Sequence, residues 1–259
     1  MRLDFTSFQI AGPSTATDTI AETLFGQTVA GGATASGRGR CDTDQFAVAV
    51  AGGTSPPVIC GTNDNQHMYI DTPTDCATLS FHLSATSGTT RQWNIKVTQY
   101  LCDYENLAPK GCTQYFFGNE GKGTVESFNY QAGTSVHLAN QNQVVCVRRE
   151  KNMCRICWAA NEAGDFKVSM GMASSKGTNG PCEYASGEAA MGYDHVIIPQ
   201  PINTDSTAAP GALIQSKFCG STLFLPTMAG STGAPMVGMA AGVVSVCCKY
   251  PVFSIHVSM

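Results

Sequence analysis

The sequence predicts an all-β fold: two tandem antiparallel β-sandwich domains of the jelly-roll kind, stapled by disulfides. Three observations carry this. Short apolar/polar alternations recur along the chain, whereas helical periodicity is hard to find. Long Gly, Ser, Thr and Ala stretches separate those runs. Twelve cysteines are spread over the whole length, a distribution that suits disulfides better than a single metal cluster. At about 150 residues per domain, 259 residues correspond to one or two domains, and two are expected.

The elements follow in order. Near the start Leu3 and Phe5 alternate, but the next apolar pair, Phe8 and Ile10, is out of phase across Thr6 and Ser7, so a bulge or bend is expected there. In "WNIKVTQY", Trp93, Ile95 and Val97 share one face and Asn94, Lys96 and Thr98 the other, the period-two pattern of a half-buried strand. The final "VFSIHVSM" repeats the pattern with Phe253, Ile255 and Val257. Stretches such as "GQTVAGGATASGRGR", "MASSKGTNGP" and "TMAGSTGAPMVG" read as loops, and "GNEGKGT" as a hairpin turn. The strand pattern stops at the Pro-containing "CDYENLAPKGC". The expected division is a first domain over 1–103, a short linker over 104–111 and a second domain over 112–259.

Composition narrows the function. Charged residues are 13% of the chain and the net charge is −4, so nothing electrostatic draws the protein to nucleic acid. No apolar run approaches the roughly 20 residues of a membrane span, so membrane insertion is not expected. The start lacks a basic segment followed by an apolar one and is not a signal peptide. The cysteine count places the protein in an oxidising, extracellular compartment. No Asn-x-Ser/Thr sequon occurs, and a polar, weakly charged surface without N-glycans leaves neighbouring molecules free to pack closely.

Candidate chemistry concentrates in "CVRREKNMCRICW". A zinc half-site at Cys154 and Cys157 needs a second C-x-x-C or a His pair, and the sequence has neither. A redox centre needs a strand-to-helix turn to lower the thiol pKa, and no helical pattern follows. The basic run Arg148, Arg149, Lys151 and Arg155 surrounds Glu150 and reads as a locally paired strand end. The five histidines are scattered, with no nucleophile motif beside them. The chain is therefore expected to be neither an enzyme nor a cofactor carrier.

"RLDFTSFQIAGP", "CDTDQF", "PPVICGTNDNQHMYID", "LSFHL" and "RQWNIKVTQY" resemble the successive strands of a CUB domain. "GCTQYFFGNEGKGTVESFNY", "HLANQNQVVCVRRE", "CRICW", "YDHVIIP" and "KFCG" resemble a second one. Together they are similar to secreted arthropod proteins with paired CUB-like domains. The resemblance implies an extracellular β-sandwich that binds proteins without catalysis.

It also implies pairings: Cys112 with Cys146, Cys41 with Cys60, and Cys182 with Cys219. Cys76 and Cys102 are then left to each other. Cys154 and Cys157 are each expected to reach one member of the Cys247-Cys248 doublet, in an order the sequence does not fix. The cysteine that the family carries just before "RLDF" is missing, so Met1 is not expected to be the true start. Many CUB domains bind calcium, and Asp44, three residues after Cys41, and Asp194 are weak candidates. The family's Glu place is Ala11, and the loop "HLSATSGTT" offers no Asp, so no metal is expected to bind.

The expected function is non-catalytic: extracellular protein binding, with self-association into an oligomer or filament. The alternative is the substrate- or ligand-recruiting part of a larger secreted protease or receptor. Tyr115, Phe116, Phe117, Asn140, Gln141 and Asn142 are the contact candidates. For the amides the alternative stays open that they satisfy carbonyls of their own domain.

Overall fold

The computed structural model describes residues 1–15, 23–24, 27–28, 39–73, 76–85, 88–118, 121–131, 136–161, 165–166, 168, 194–199, 201–202, 216–218, 246–248 and 253–258. Among them there is no helix: every regular element is a strand. The chain divides into two compact units.

The first unit comprises Met1–Gln99 and Glu126–Gln141. It holds β1 (Arg2–Gln9), a short pair β2 (Thr23–Leu24) and β3 (Gln27–Thr28), β4 (Asp44–Val50), β5 (His67–Tyr69), β6 (Ala77–Leu83) and β7 (Gln92–Thr98). One sheet has the order β5-β1-β7, and β4 pairs with β6 in another, all antiparallel. Leu3, Phe5, Phe8 and Ile10 from β1 and its exit meet Phe46 and Val48 from β4 in one core. The Phe8 and Phe46 rings approach edge-on at 5.5 Å, the favourable contact of opposed ring quadrupoles. Each buried Phe contributes about 2–3 kcal/mol through loss of apolar surface from water.

The slip read in the first strand is a β-bulge. Phe5 faces Ile95 and the next pair is Ser7 with Asn94, so Thr6 has no partner opposite and points to solvent. The extra residue resets the alternation, and both apolar pairs, Leu3 with Phe5 and Phe8 with Ile10, reach the same core.

Segment 126–141 departs from the expected division. It lies beyond the expected linker, yet Phe128 and Leu138 are fully buried in the first unit's core. Polar bonds fix it there. The Gln66 side chain donates to the Ser127 carbonyl at 3.0 Å, the Asn129 N–H donates to Asn63 Oδ1 at 2.8 Å, and the Ala139 N–H donates to the Gly39 carbonyl at 2.8 Å. Asn129 has a φ of 62° and accepts the Thr62 N–H through its side chain.

The second unit comprises Tyr100–Val125 and Asn142–Met259, so the expected linker 104–111 falls inside it. Its strands are β8 (Gln114–Phe116), β9 (Asn142–Val147), β10 (Ile156–Trp158), β11 (His195–Ile197), β12 (Pro201–Ile202), β13 (Lys217–Phe218), β14 (Val246–Cys248) and β15 (Phe253–Ser258). They form a five-stranded sheet, β13-β11-β15-β9-β8, and a three-stranded one, β10-β14-β12. The last strand, β15, sits between β11 and β9. β8 and β9 are parallel, so "GNEGKGT" does not turn a hairpin between them. A parallel pair needs a long connection, and this one includes the segment that packs in the first unit.

Candidate functional site

Asp44 opens β4 in the first unit, and its carboxylate is completely buried. Four donors surround it. Oδ2 accepts the Ala11 N–H at 2.8 Å and Arg91 Nε at 2.7 Å; Oδ1 accepts the Ser84 N–H at 3.0 Å and Arg91 Nη2 at 2.8 Å. The guanidinium also donates to the Ser84 carbonyl. The two-point grip of Arg91 and the two N–H bonds hold the carboxyl well below its usual range, at about 2.

This geometry tests Asp44 as a calcium ligand, and the residues do not fit. An ionised carboxylate offers about four acceptor positions, and all four are taken. At the family's Glu place, Ala11 supplies a donor. Directly after the loop "HLSATSGTT", which holds no Asp, stands Arg91, another donor. A cation needs converging oxygens, whereas Asp44 is ringed by N–H groups. Asp194, half-buried, immediately precedes β11 in the second unit.

Among the described residues, three disulfides join Cys41 to Cys60, Cys112 to Cys146 and Cys157 to Cys247. The first lies in the first unit and the other two in the second. Cys157 and Cys247 are direct cross-strand partners of β10 and β14. Cys154 and Cys248 carry thiols: Cys154 is exposed, whereas Cys248 is buried beside Ile156 and Trp158. The doublet therefore engages "CRIC" through one bond, because adjacent strand residues face opposite ways and only Cys247 points at Cys157. Burial pushes the Cys248 thiol pKa up. Cys76 and Cys102 are exposed thiols, not a pair. Cys182 and Cys219 lie outside the described residues.

The contact candidates separate. Tyr115 is buried, Phe116 is half-buried, and Phe117 is 37% exposed. The Arg148 guanidinium lies 5.0 Å from the Phe117 ring centre and is itself paired with Glu150 at 2.9 Å, so this patch is satisfied within the unit. Arg148 also donates to Asn106. Gln141 is buried and donates to the Val58 carbonyl at 2.9 Å, which gives it a local structural role. Asn140 and Asn142 are exposed. Sequence reasoning missed a different group: Leu83, Trp93 and Val97 in the first unit, and Leu101, Tyr104 and Leu107 in the second, are large, apolar and exposed. An open recess of about 340 Å³ in the first unit is lined by Gln9, Thr15, Thr62, Thr89, Asn129 and Gln131 among others, none of them titratable.

Among the described residues, a framework of strands held by disulfides, with large apolar side chains left on its surface, is the architecture of an extracellular β-sandwich protein. The animal CUB domain is the family whose sequence profile matches, over residues 109–254. That is more than half of the chain, and the chain belongs to this family. Its CUB domain gives the protein an extracellular, protein-interacting character. No curated protein is similar enough to match it.

Proposed function

We propose that the chain is a non-catalytic extracellular protein that works by protein contact and associates with further copies of itself. In this reading the first unit is a second CUB-like module paired with the matched one, the arrangement of the secreted arthropod proteins it resembles. The observation that carries the reading is the set of exposed large apolar side chains, Leu83, Trp93, Val97, Leu101, Tyr104 and Leu107, on a chain of 13% charged residues. Such groups on a weakly charged surface favour association. Sedimentation velocity of the full chain over a hundredfold concentration range tests it, with electron microscopy of native material to separate closed oligomers from filaments. Larger species should grow in with concentration. A single monomeric boundary throughout sinks self-association, and capture of one different partner at stoichiometric yield replaces it with a receptor-like role.

A further inference from the structure

The first unit leaves one flank of its core uncovered. Residues directly opposite in an antiparallel pair share a face. Val97, Ile95 and Trp93 of β7 lie opposite Leu3, Phe5 and Phe8 of β1, all buried, so the β7 side chains also face the core. Ala77, Leu79 and Phe81 of β6 likewise lie opposite Val50, Val48 and Phe46. Yet Val97 is 49% exposed, and Trp93 and Leu83 are each 42% exposed. β7 ends one sheet and β6 ends the other among the described residues. Both ends lie on the same side, since the Phe81 and Trp93 rings stack at 4.2 Å. An apolar row from two layers therefore opens sideways, flanked by the edges of β7 and β6, which pair with no further strand among the described residues.

We propose that this flank is covered by the same flank of a second copy, β7 pairing antiparallel with β7 and β6 with β6. The proposal rests on the self-association put forward above and names its surface. A two-fold axis normal to the sheets keeps each layer in its own layer while reversing strand direction. The second copy thus has the right spacing between its two edges by symmetry, which an unrelated strand lacks.

Charge permits the contact. β6 carries no Asp, Glu, Lys or Arg, and β7 carries only Lys96, which faces Asp4 within its own sheet. Natural edges are guarded against such pairing by charges, prolines and bulges, and these two are nearly bare. Centring the β7 pair on Ile95 sets Trp93 against Val97 of the second copy, a favourable aromatic and β-branched pair. It also sets Lys96 against Asn94, with no like charges opposed.

The size is sufficient. Seven residues span roughly 23 Å, and two sheets about 10 Å apart give a face roughly 20 Å deep. That is on the order of 900 Å² for the two copies, the range of weak, reversible interfaces.

The test uses the full chain with exposed thiols alkylated, combining sedimentation velocity with hydrogen exchange at dilute and concentrated protein. Amides of 77–83 and 92–98 should slow by tenfold or more as dimer forms, and Val97→Lys, an inward-pointing charge at the edge, should weaken the dimer at least tenfold. If the chain associates but exchange in these strands is unchanged, the flank is the wrong surface while self-association stands. If no association occurs at any concentration, both readings fall. The exchange comparison needs no variant, so misfolding of Val97→Lys leaves the proposal decidable.

Discussion

Arg91 holds both oxygens of Asp44 from 47 residues away in sequence, Nε to Oδ2 at 2.7 Å and Nη2 to Oδ1 at 2.8 Å. The pair ties the start of β4 to the residue just before β7, and so ties one sheet to the other. Its carboxylate is wholly buried, while the arginine keeps about a fifth of its side chain in water (22%).

Acid should loosen the first unit through this pair. The folded-state carboxyl is lowered to about 2 from 3.8, so its stabilisation is present in full above about pH 4 and is lost as pH falls through 2. The contribution is on the order of 2 kcal/mol. Urea unfolding of the native chain and of Asp44→Asn should differ by that amount at pH 6, and the gap should narrow towards pH 2. An equal gap at both pH values would contradict the assignment.

Calcium should leave Asp44 untouched. A ligand at a hundred times its Kd raises stability by about 2.7 kcal/mol, an increment easily seen in a melting curve. Any change in Tm on adding millimolar calcium should be the same for the native chain and for Asp44→Asn. A response that disappears with the substitution would mean that Arg91 yields its place to the ion.

Gly61 should resist substitution for two separable reasons. Its φ is +79°, where a side chain is strained, and a Cβ would lie 1.9 Å from Asn129 Oδ1. Gly61→Ala should destabilise by about 2 kcal/mol or more. In an Asn129→Ala background the clash is gone and about 1 kcal/mol of backbone strain remains. Additive effects in chemical denaturation would show that the two residues do not meet.

Alkylation should sort the thiols by burial. Cys76, Cys102 and Cys154 should react with iodoacetamide in the native protein, and Cys248 only after unfolding. Peptide mass mapping reads this directly. Bridged Cys76 and Cys102, or a modified Cys248 in folded protein, would overturn the arrangement.

The first strand's bulge was legible because a one-residue phase slip is a local signal: Leu3 and Phe5 alternate, Phe8 and Ile10 alternate, and one residue too many lies between. Asp44 stood out only through the resemblance to CUB domains, which places an Asp three residues after a cysteine, and there it was a weak calcium candidate. Its partner was not, because Arg91 reaches it only after β6 and the following loop are in place. The burial of Tyr115 was hidden for a related reason. β8 is three residues long, and which face it covers depends on its parallel pairing with β9 thirty residues later. Residues 126–141 carry no alternation, and single amide bonds to distant backbone groups fix them in the first unit.

The Cys157–Cys247 bond spans 90 positions and encloses most of the second half of the chain. A protease that cuts anywhere between those two cysteines would leave both fragments in one covalent molecule. Such a nicked chain would keep its mass in non-reducing gels and fall apart only when reductant is added. For a protein working outside the cell, a single cut between these two cysteines need not release anything.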